Sequence, residues 1–350
     1  MFQELLLTVK ENISTIRSII KTNDKLREIA FGEEVTGKQN SQDYIEFIAS
    51  LSQDIPNARE WQVYEHCATV TRLYAIYERF TEDLVSNWLV VLPELFPCYS
   101  DLEERIPNTH QMGVGRLLLE LKKSRYEHLS IEKVVRGLYL GTTTAEEQYE
   151  LLSDAFLFHD QNLRRETLEK MLADAGIPNA WIWVDKHRSV KNFVEEIRGN
   201  QNTAEGELNE LIIYRNDAAH GALIDDFLGS NTLLELCDFV LALCQALAEL
   251  MTYKVIERKK STGQVREIGQ ITEWFKKPQA GVAKVEETTL TIGKSLFLVS
   301  QTHCYCQQAT IQSIQIDGVP TNEVQTTTGM EVGLKFDVDA RKELHLYLVE

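Results

Sequence analysis

Long apolar runs are missing from this chain. Residues 233–251 come nearest, and they carry Glu235, Asp238 and Glu249, so nothing resembles the roughly 18 uncharged apolar residues of a membrane-crossing helix. The opening MFQELLLTVKENIS has a short apolar stretch flanked by Glu4 and Lys10. It lacks the basic start and small-residue cleavage site of a secretory leader, so a cytoplasmic protein without a membrane partner is expected. Positive charge is also scarce: 36 Lys+Arg stand against 53 Asp+Glu, a net charge of −17. That deficit excludes a protein that coats nucleic acid by displacing counterions with Lys and Arg. It leaves room for a local site acting on RNA.

Cysteine is sparse. Four of the six (Cys67, Cys98, Cys237 and Cys244) stand singly in apolar helical patterns, as small hydrophobes do. Cys304-Tyr305-Cys306 follows His303, but no second Cys/His pair lies at zinc-site spacing. The alternation also fits one face of a strand, so no metal site and no cofactor are read here. With 43% hydrophobic and 25% charged residues over 350 positions, the composition is that of a globular protein large enough for two domains.

Helical periodicity dominates the first three quarters. Leu5, Leu6, Val9, Ile13, Ile16 and Ile20 recur at helical spacing over residues 2–29. A short helix is expected at 42–51. Residues 60–92 then form a wide apolar face on one long helix, with Pro93 and Pro97 expected to end it. Shorter helices are predicted at 115–128, from the Thr144-Ala145-Glu146-Glu147 start, and at 162–175 before Gly176 and Pro178. Two more follow at 207–220 and 232–257. Beyond 254 the texture changes. Residues 254–277 hold seven Lys/Arg and three Glu, 7 − 3 = +4, with Ser261-Thr262-Gly263 as a break. From about 285 the period becomes two, through 289–292, 295–299, 309–316, 332–336 and 344–349, with Asp317-Gly318 as a turn. Five or six short strands in this space predict a small barrel. The resulting division is an N-terminal helical extension at 1–59, a helical domain at 60–256, a basic linker at 257–284 and a β-barrel at 285–350.

Chemistry concentrates in Tyr214-Arg215-Asn216-Asp217-Ala218-Ala219-His220-Gly221. Leu208, Leu211 and Ile212 seat the helix on a core, and Asn216 and His220, four apart, share one face. Gly221 suits the left-handed position that ends a helix. A histidine there is a proton carrier set against the negative helix end, and Arg215 is a permanent cation suited to phosphate. Transphosphorylation of RNA needs a base for the 2′-OH, an acid for the leaving 5′-oxygen and a cation for the phosphorane. The plainer alternative makes His220 a cap and pairs Arg215 with Asp217 or Glu78.

Among the other histidines, His66 and His159 read as partly buried core residues, and His187 as part of the solvated charged run Asp185-Lys186-His187-Arg188. His110, His128, His303 and His345 have no identifiable partner.

Arg215-Asn216-x-x-x-His220-Gly221 resembles the R-x4–6-H motif of HEPN-superfamily ribonucleases. The upstream Arg72-Leu73-Tyr74-Ala75-Ile76-Tyr77-Glu78-Arg79-Phe80 resembles the first core helix of the MAE-type and RiboL-PSP branches. The resemblance covers about 60–256, with 130–200 as a branch-specific insertion. It implies a mainly α, up-and-down helical bundle, paired as a homodimer, and a metal-independent endoribonuclease leaving 2′,3′-cyclic phosphate. It further implies a toxin or antiviral defence role, with an antitoxin or defence-system protein as partner. Carried over residue by residue, Arg215 and His220 are catalytic and Asn216 orients them; Glu78 and Asp217 are supporting candidates. The terminal barrel is similar to domain 2 of translational GTPases through Gln308-Ala309-Thr310-Ile311 and Val332-Gly333-Leu334-Lys335-Phe336. That similarity implies tRNA or translation-associated RNA as target, with Lys254, Arg258, Lys259 and Lys260 as candidate RNA contacts. The competing class is a non-catalytic HEPN module that binds a nucleotide, RNA or protein, or serves as an adaptor in a larger assembly.

Overall fold

The computed structural model describes residues 2–31, 55–143, 148–158, 161–220 and 224–349. The expected helix at 42–51, the helix start at 144–147, His159 and Gly221 lie outside these residues. In chain order the described α-helices are α1 (Phe2–Phe31), α2 (Ala58–Leu95), α3 (Arg105–Glu120), α4 (Ile131–Thr142), α5 (Arg165–Asp174), α6 (Ala180–Lys186), α7 (Arg188–Asn192), α8 (Ala204–His220) and α9 (Ser230–Ser261).

Four of them make an up-and-down bundle: α1, α2, α8 and α9. The segment read as an N-terminal extension is therefore a bundle helix in its own right. Leu6, Val9, Ile13, Ile16 and Ile20 are buried along one stripe of α1, which packs on both α2 and α9. Its polar edge fixes the direction. Arg27 donates to Glu65 at 2.6 Å and Asn23 to the same carboxylate at 2.9 Å, while Arg72 reaches back to Asn12 at 2.9 Å, so α1 and α2 run antiparallel. Helices α2 and α9 run parallel. The Leu228 amide, just ahead of α9, donates to His66 Nδ1 at 3.2 Å, and far along both helices Arg258 Nε donates to the Leu95 carbonyl at 3.1 Å.

Helix α2 continues through Pro93 to Leu95 rather than stopping before it. Proline in a final turn removes one intrahelical bond near the end; separately, the Pro93 carbonyl, one of the last carbonyls of the helix, accepts from Gln148 Nε2 at 2.8 Å. Likewise α3 begins at Arg105, ten residues before the expected start. Its Pro107 sits in the first turn, where a missing N–H costs little.

The region read as a basic linker is not one. Helix α9 runs on to Ser261 and strand β1 (Val265–Phe275) begins four residues later, followed by β2 (Ala280–Val285). Val265, Ile268 and Ile271 are buried in β1 while Arg266 points outward, so the charges masked a strand. The remaining strands are β3 (Thr289–Thr291), β4 (Ser295–Ser300), β5 (Tyr305–Ile316), β6 (Val319–Thr321), β7 (Glu323–Gln325), β8 (Met330–Phe336) and β9 (His345–Val349). The order β4-β9-β1-β2-β8-β5, closed by pairing of β5 with β4, is a six-stranded antiparallel barrel. Strand β6 extends β5 as a hairpin through Asp317-Gly318, and β3 with β7 form a separate ribbon. The register of β1 shifts at Gly269, whose φ is +151°; a side chain there would meet the Lys284 carbonyl oxygen at 2.3 Å.

One buried ionic group joins bundle to barrel. Glu249 on α9 accepts from Arg188 Nη1 and Nη2 at 2.7 and 2.6 Å, and from the Cys306 amide on β5 at 3.1 Å. Arg188 also donates to Gln307 at 3.0 Å and lies 4.0 Å from the Tyr305 ring centre. His187, expected in a solvated patch, is fully buried, with Nε2 3.3 Å from Glu249. Among the described residues no helix is long and apolar enough to cross a membrane.

Candidate active site

Ala204, Glu207, Leu208, Leu211 and Ile212 are the buried positions that seat α8 on the bundle, and the next turn carries Arg215. Its half-buried guanidinium lies 4.9 Å from the Tyr74 ring centre, over the aromatic face. Nη1 donates to Asn216 Oδ1 at 3.0 Å and to Asn162 Oδ1 at 3.4 Å, and Asn162 Nδ2 donates to Asn216 Oδ1 at 3.1 Å. Among the described residues no carboxylate pairs with Arg215 and nothing bonds its Nε or Nη2. A fixed cation with one edge unoccupied is suited to bidentate contact with a phosphate.

Glu78 is not the partner of Arg215. Its carboxylate accepts the Tyr74 hydroxyl at 2.9 Å, so it acts on the arginine only through the tyrosine that carries it. Asp217 is exposed and makes no ion pair with a described residue. Burial, together with the Glu78 carboxylate, pushes the Tyr74 phenol well above its ordinary value, against the smaller opposing effects of the Leu163 amide and the Arg215 charge. Tyr74 is therefore a neutral platform rather than a base.

Asn162 escaped the sequence reading, which placed it inside a helix. Helix α5 instead begins at Arg165. Leu163 cannot join it, because its amide donates to the Tyr74 hydroxyl at 3.0 Å and its carbonyl accepts the Tyr77 hydroxyl at 3.0 Å. Those two bonds hold the preceding Asn162 against Arg215. The available signal was a polar Asn next to an apolar Leu ahead of the helix start; nothing local ties it to residues 215 and 216.

His220 is the last residue of α8 and is exposed, and its side chain makes no hydrogen bond to a described residue. It shares the helix face of Asn216, one turn away. The structure thus gathers Arg215, Asn216, Asn162, Tyr74 and, through Tyr74, Glu78. It sets His220 at the open end of the same helix. His66 lies nearby as a buried residue, edge-on to Tyr214 at 5.4 Å, and burial lowers its pKa.

The basic stretch is elsewhere. Arg258 stacks 4.1 Å from the Phe96 ring centre, Lys254 pairs with Glu257 at 2.8 Å and Lys260 with Glu267 at 2.9 Å. Phe96 lies 22 residues beyond Tyr74, roughly 30 Å along α2 at 1.5 Å per residue. Arg258, Lys254 and Lys260 are joined to the end of α2, to their own helix and to β1 rather than to the Arg215 site; Lys259, beside them, is half-buried, and its ammonium has no partner among the described residues.

A four-helix bundle with an arginine and a histidine closing its third helix is the architecture that the family carrying this motif implies. The RiboL-PSP-HEPN family model matches residues 38–253, and the chain belongs to that family. The match takes in α2, α8 and the residues between them, Asn162 included. No curated protein matches the chain.

Proposed function

We propose that the protein is an endoribonuclease that cleaves RNA by internal attack of a 2′-oxygen. The supporting observation is Arg215, which is held on Tyr74 by two asparagines, has no carboxylate partner among the described residues, and lies in the last turns of a helix ending at exposed His220. In this reading His220 removes the 2′-OH proton and the 2′-oxygen attacks phosphorus. Arg215 neutralises charge on the phosphorane, and the 5′-oxygen leaves with a proton. The products are a 2′,3′-cyclic phosphate and a 5′-hydroxyl. The same histidine of a second copy serves as the acid, in the homodimer that the family resemblance implies. No step calls for a metal.

A toxin or antiviral effector, paired with an antitoxin or defence-system protein, is the biological role proposed. The barrel, similar in sequence to domain 2 of translational GTPases, is proposed to select tRNA or another translation-associated RNA. The test is incubation of RNA with wild type and His220→Ala in EDTA, with end analysis and a 2′-deoxy control. Cyclic-phosphate ends from wild type alone are expected; equal cleavage by His220→Ala sinks the mechanism.

A second reading is a module that binds RNA or a nucleotide without turnover. It is favoured by the lack of any described residue that orients the His220 imidazole. Tight binding with no new RNA ends from wild type would establish it.

A further inference from the structure

A second cationic feature lies where bundle and barrel meet. Lys186 ends α6, Lys191 lies on α7, His303 lies in the turn between β4 and β5, and Arg341 in the loop before β9. These residues line one cleft of about 420 Å³. Lys186, Lys191 and Arg341 are exposed, and among the described residues none of the three has an ion-pair partner. Three unpaired cations around one cleft in a chain of net charge −17 stand against the overall field, and each would gain by binding an anion. Asp185 and Glu195 line a separate cleft with Lys191, and two other acidic groups close by are engaged. Glu249 is bound by Arg188, and Glu343 lies 3.7 Å from His303.

The cleft is held in shape. Arg188, between Lys186 and Lys191 in sequence, is fixed by Glu249, Gln307 and the Tyr305 ring, so the helical and barrel walls keep one spacing. A neighbouring cleft of about 670 Å³ shares Arg188 and Arg341 and adds Lys276 from the barrel. Its carboxylates Asp238 and Asp339 are engaged by Arg17 and by the Trp274 indole N–H, so basic groups continue along the junction, as an extended ligand needs. Because α2 and α9 run parallel, Glu249 is level with about residue 86 of α2. That is roughly 18 Å beyond Tyr74 along the bundle axis.

We propose that this junction cleft binds the phosphates of a single RNA strand, as a site separate from Arg215 and His220. It rests on the proposed ribonuclease reading only for the choice of RNA as the polyanion. Cleft size and linear extent favour a strand over a lone phosphate.

The test measures binding of a labelled 2′-O-methyl oligouridine, which keeps the phosphates but lacks the attacking hydroxyl, across a range of salt. The triple variant K186E/K191E/R341E is expected to bind at least about tenfold more weakly. Its slope of log K against log salt should be smaller by about 2, at about 0.7 per phosphate contact on single strands. K186R/K191R/R341K should bind as wild type does, and unchanged thermal melting of both variants establishes that they fold. Unchanged affinity and slope in the charge-reversed variant would overturn the proposal. So would displacement of the strand by inorganic phosphate at constant ionic strength, which marks a small-anion site. Since the probe cannot be cleaved, a failure of His220→Ala to abolish cleavage leaves this measurement standing, and the reverse also holds.

Discussion

The guanidinium of Arg215 rests 4.9 Å from the centre of the Tyr74 ring, and the same tyrosine's hydroxyl holds the chain at Leu163. One side chain thus supplies the face on which the cation lies and anchors the segment that brings Asn162 to it. The motif on α8 depends in this way on α2 and on the region between them.

Arg215→Ala is expected to lower cleavage by about 10²–10³, the usual cost of losing one group that stabilises transition-state charge. Arg215→Lys should recover little of it, since an ammonium cannot reproduce the planar fork. Single-turnover cleavage rates check this, with melting temperature as the folding control.

Asn162→Ala is expected to act through Arg215 rather than on RNA directly. The loss should appear in kcat more than in KM, by about tenfold or more, because a cation misplaced by an ångström loses its effect. Asn162→Asp should be no better, as a carboxylate at that position would pair with and neutralise the guanidinium. If Asn162→Asp cleaves like wild type, the positioning role is lost.

Acid should weaken the bundle–barrel junction. Burial opposes ionisation of Glu249, but hydrogen bonds from His187 and Arg188, with the charge of Arg188, overcome it and hold the carboxyl down at about 2. The folded value lies below the ordinary 4.5, so this stabilisation is fully present above that ordinary value and is lost as pH falls from there toward about 2. Denaturant unfolding at pH 7 and at pH 3 should differ more for wild type than for Glu249→Gln. At pH 7 Glu249→Ala should cost about 3–5 kcal/mol by leaving Arg188 without its partner.

A milder acid effect comes first. Burial lowers the pKa of His66, His187 and His110, the last to about 4. These rings bind protons less readily when folded than when unfolded, so stability should already decline as pH drops below about 6.5. His110→Gln should flatten that decline; an unchanged pH profile would show that His110 does not contribute.

Gly269→Ala is expected to destabilise the barrel by about 2 kcal/mol or more, since a methyl group would meet the Lys284 carbonyl at 2.3 Å and the backbone is left-handed there. A shifted denaturation midpoint, with Gly293→Ala as a second left-handed glycine facing open space, separates steric clash from backbone strain.

Much of the fold was legible because its periodicities are local. The stripe of α1, the long face of α2, the apolar run of α9 and the alternation in the later strands each lie within one segment. The misreadings occurred where local signals conflict with distant contacts. Pro93 does not stop α2, since its missing N–H removes only one bond and that bond falls in the final turns of the helix. Residues 257–284 looked like a basic linker because the strand within them, at 265–275, has inner residues only at every third position rather than every second. His187 looked solvated because its sequence neighbours are charged, while Glu249, 62 positions away, covers it.

The sequence by itself determined the helix-then-barrel order and the Arg215, Asn216 and His220 spacing at one helix end, because hydrophobic period and residue spacing are properties of contiguous chain. Only the tertiary structure decided what holds Arg215 and what leaves it unpaired. The asparagine and tyrosine that position it come from residues 162 and 74, and Glu78 is turned to the tyrosine hydroxyl. Packing between remote segments decides which hydrogen-bond partner a polar group finds, and no local pattern encodes that choice.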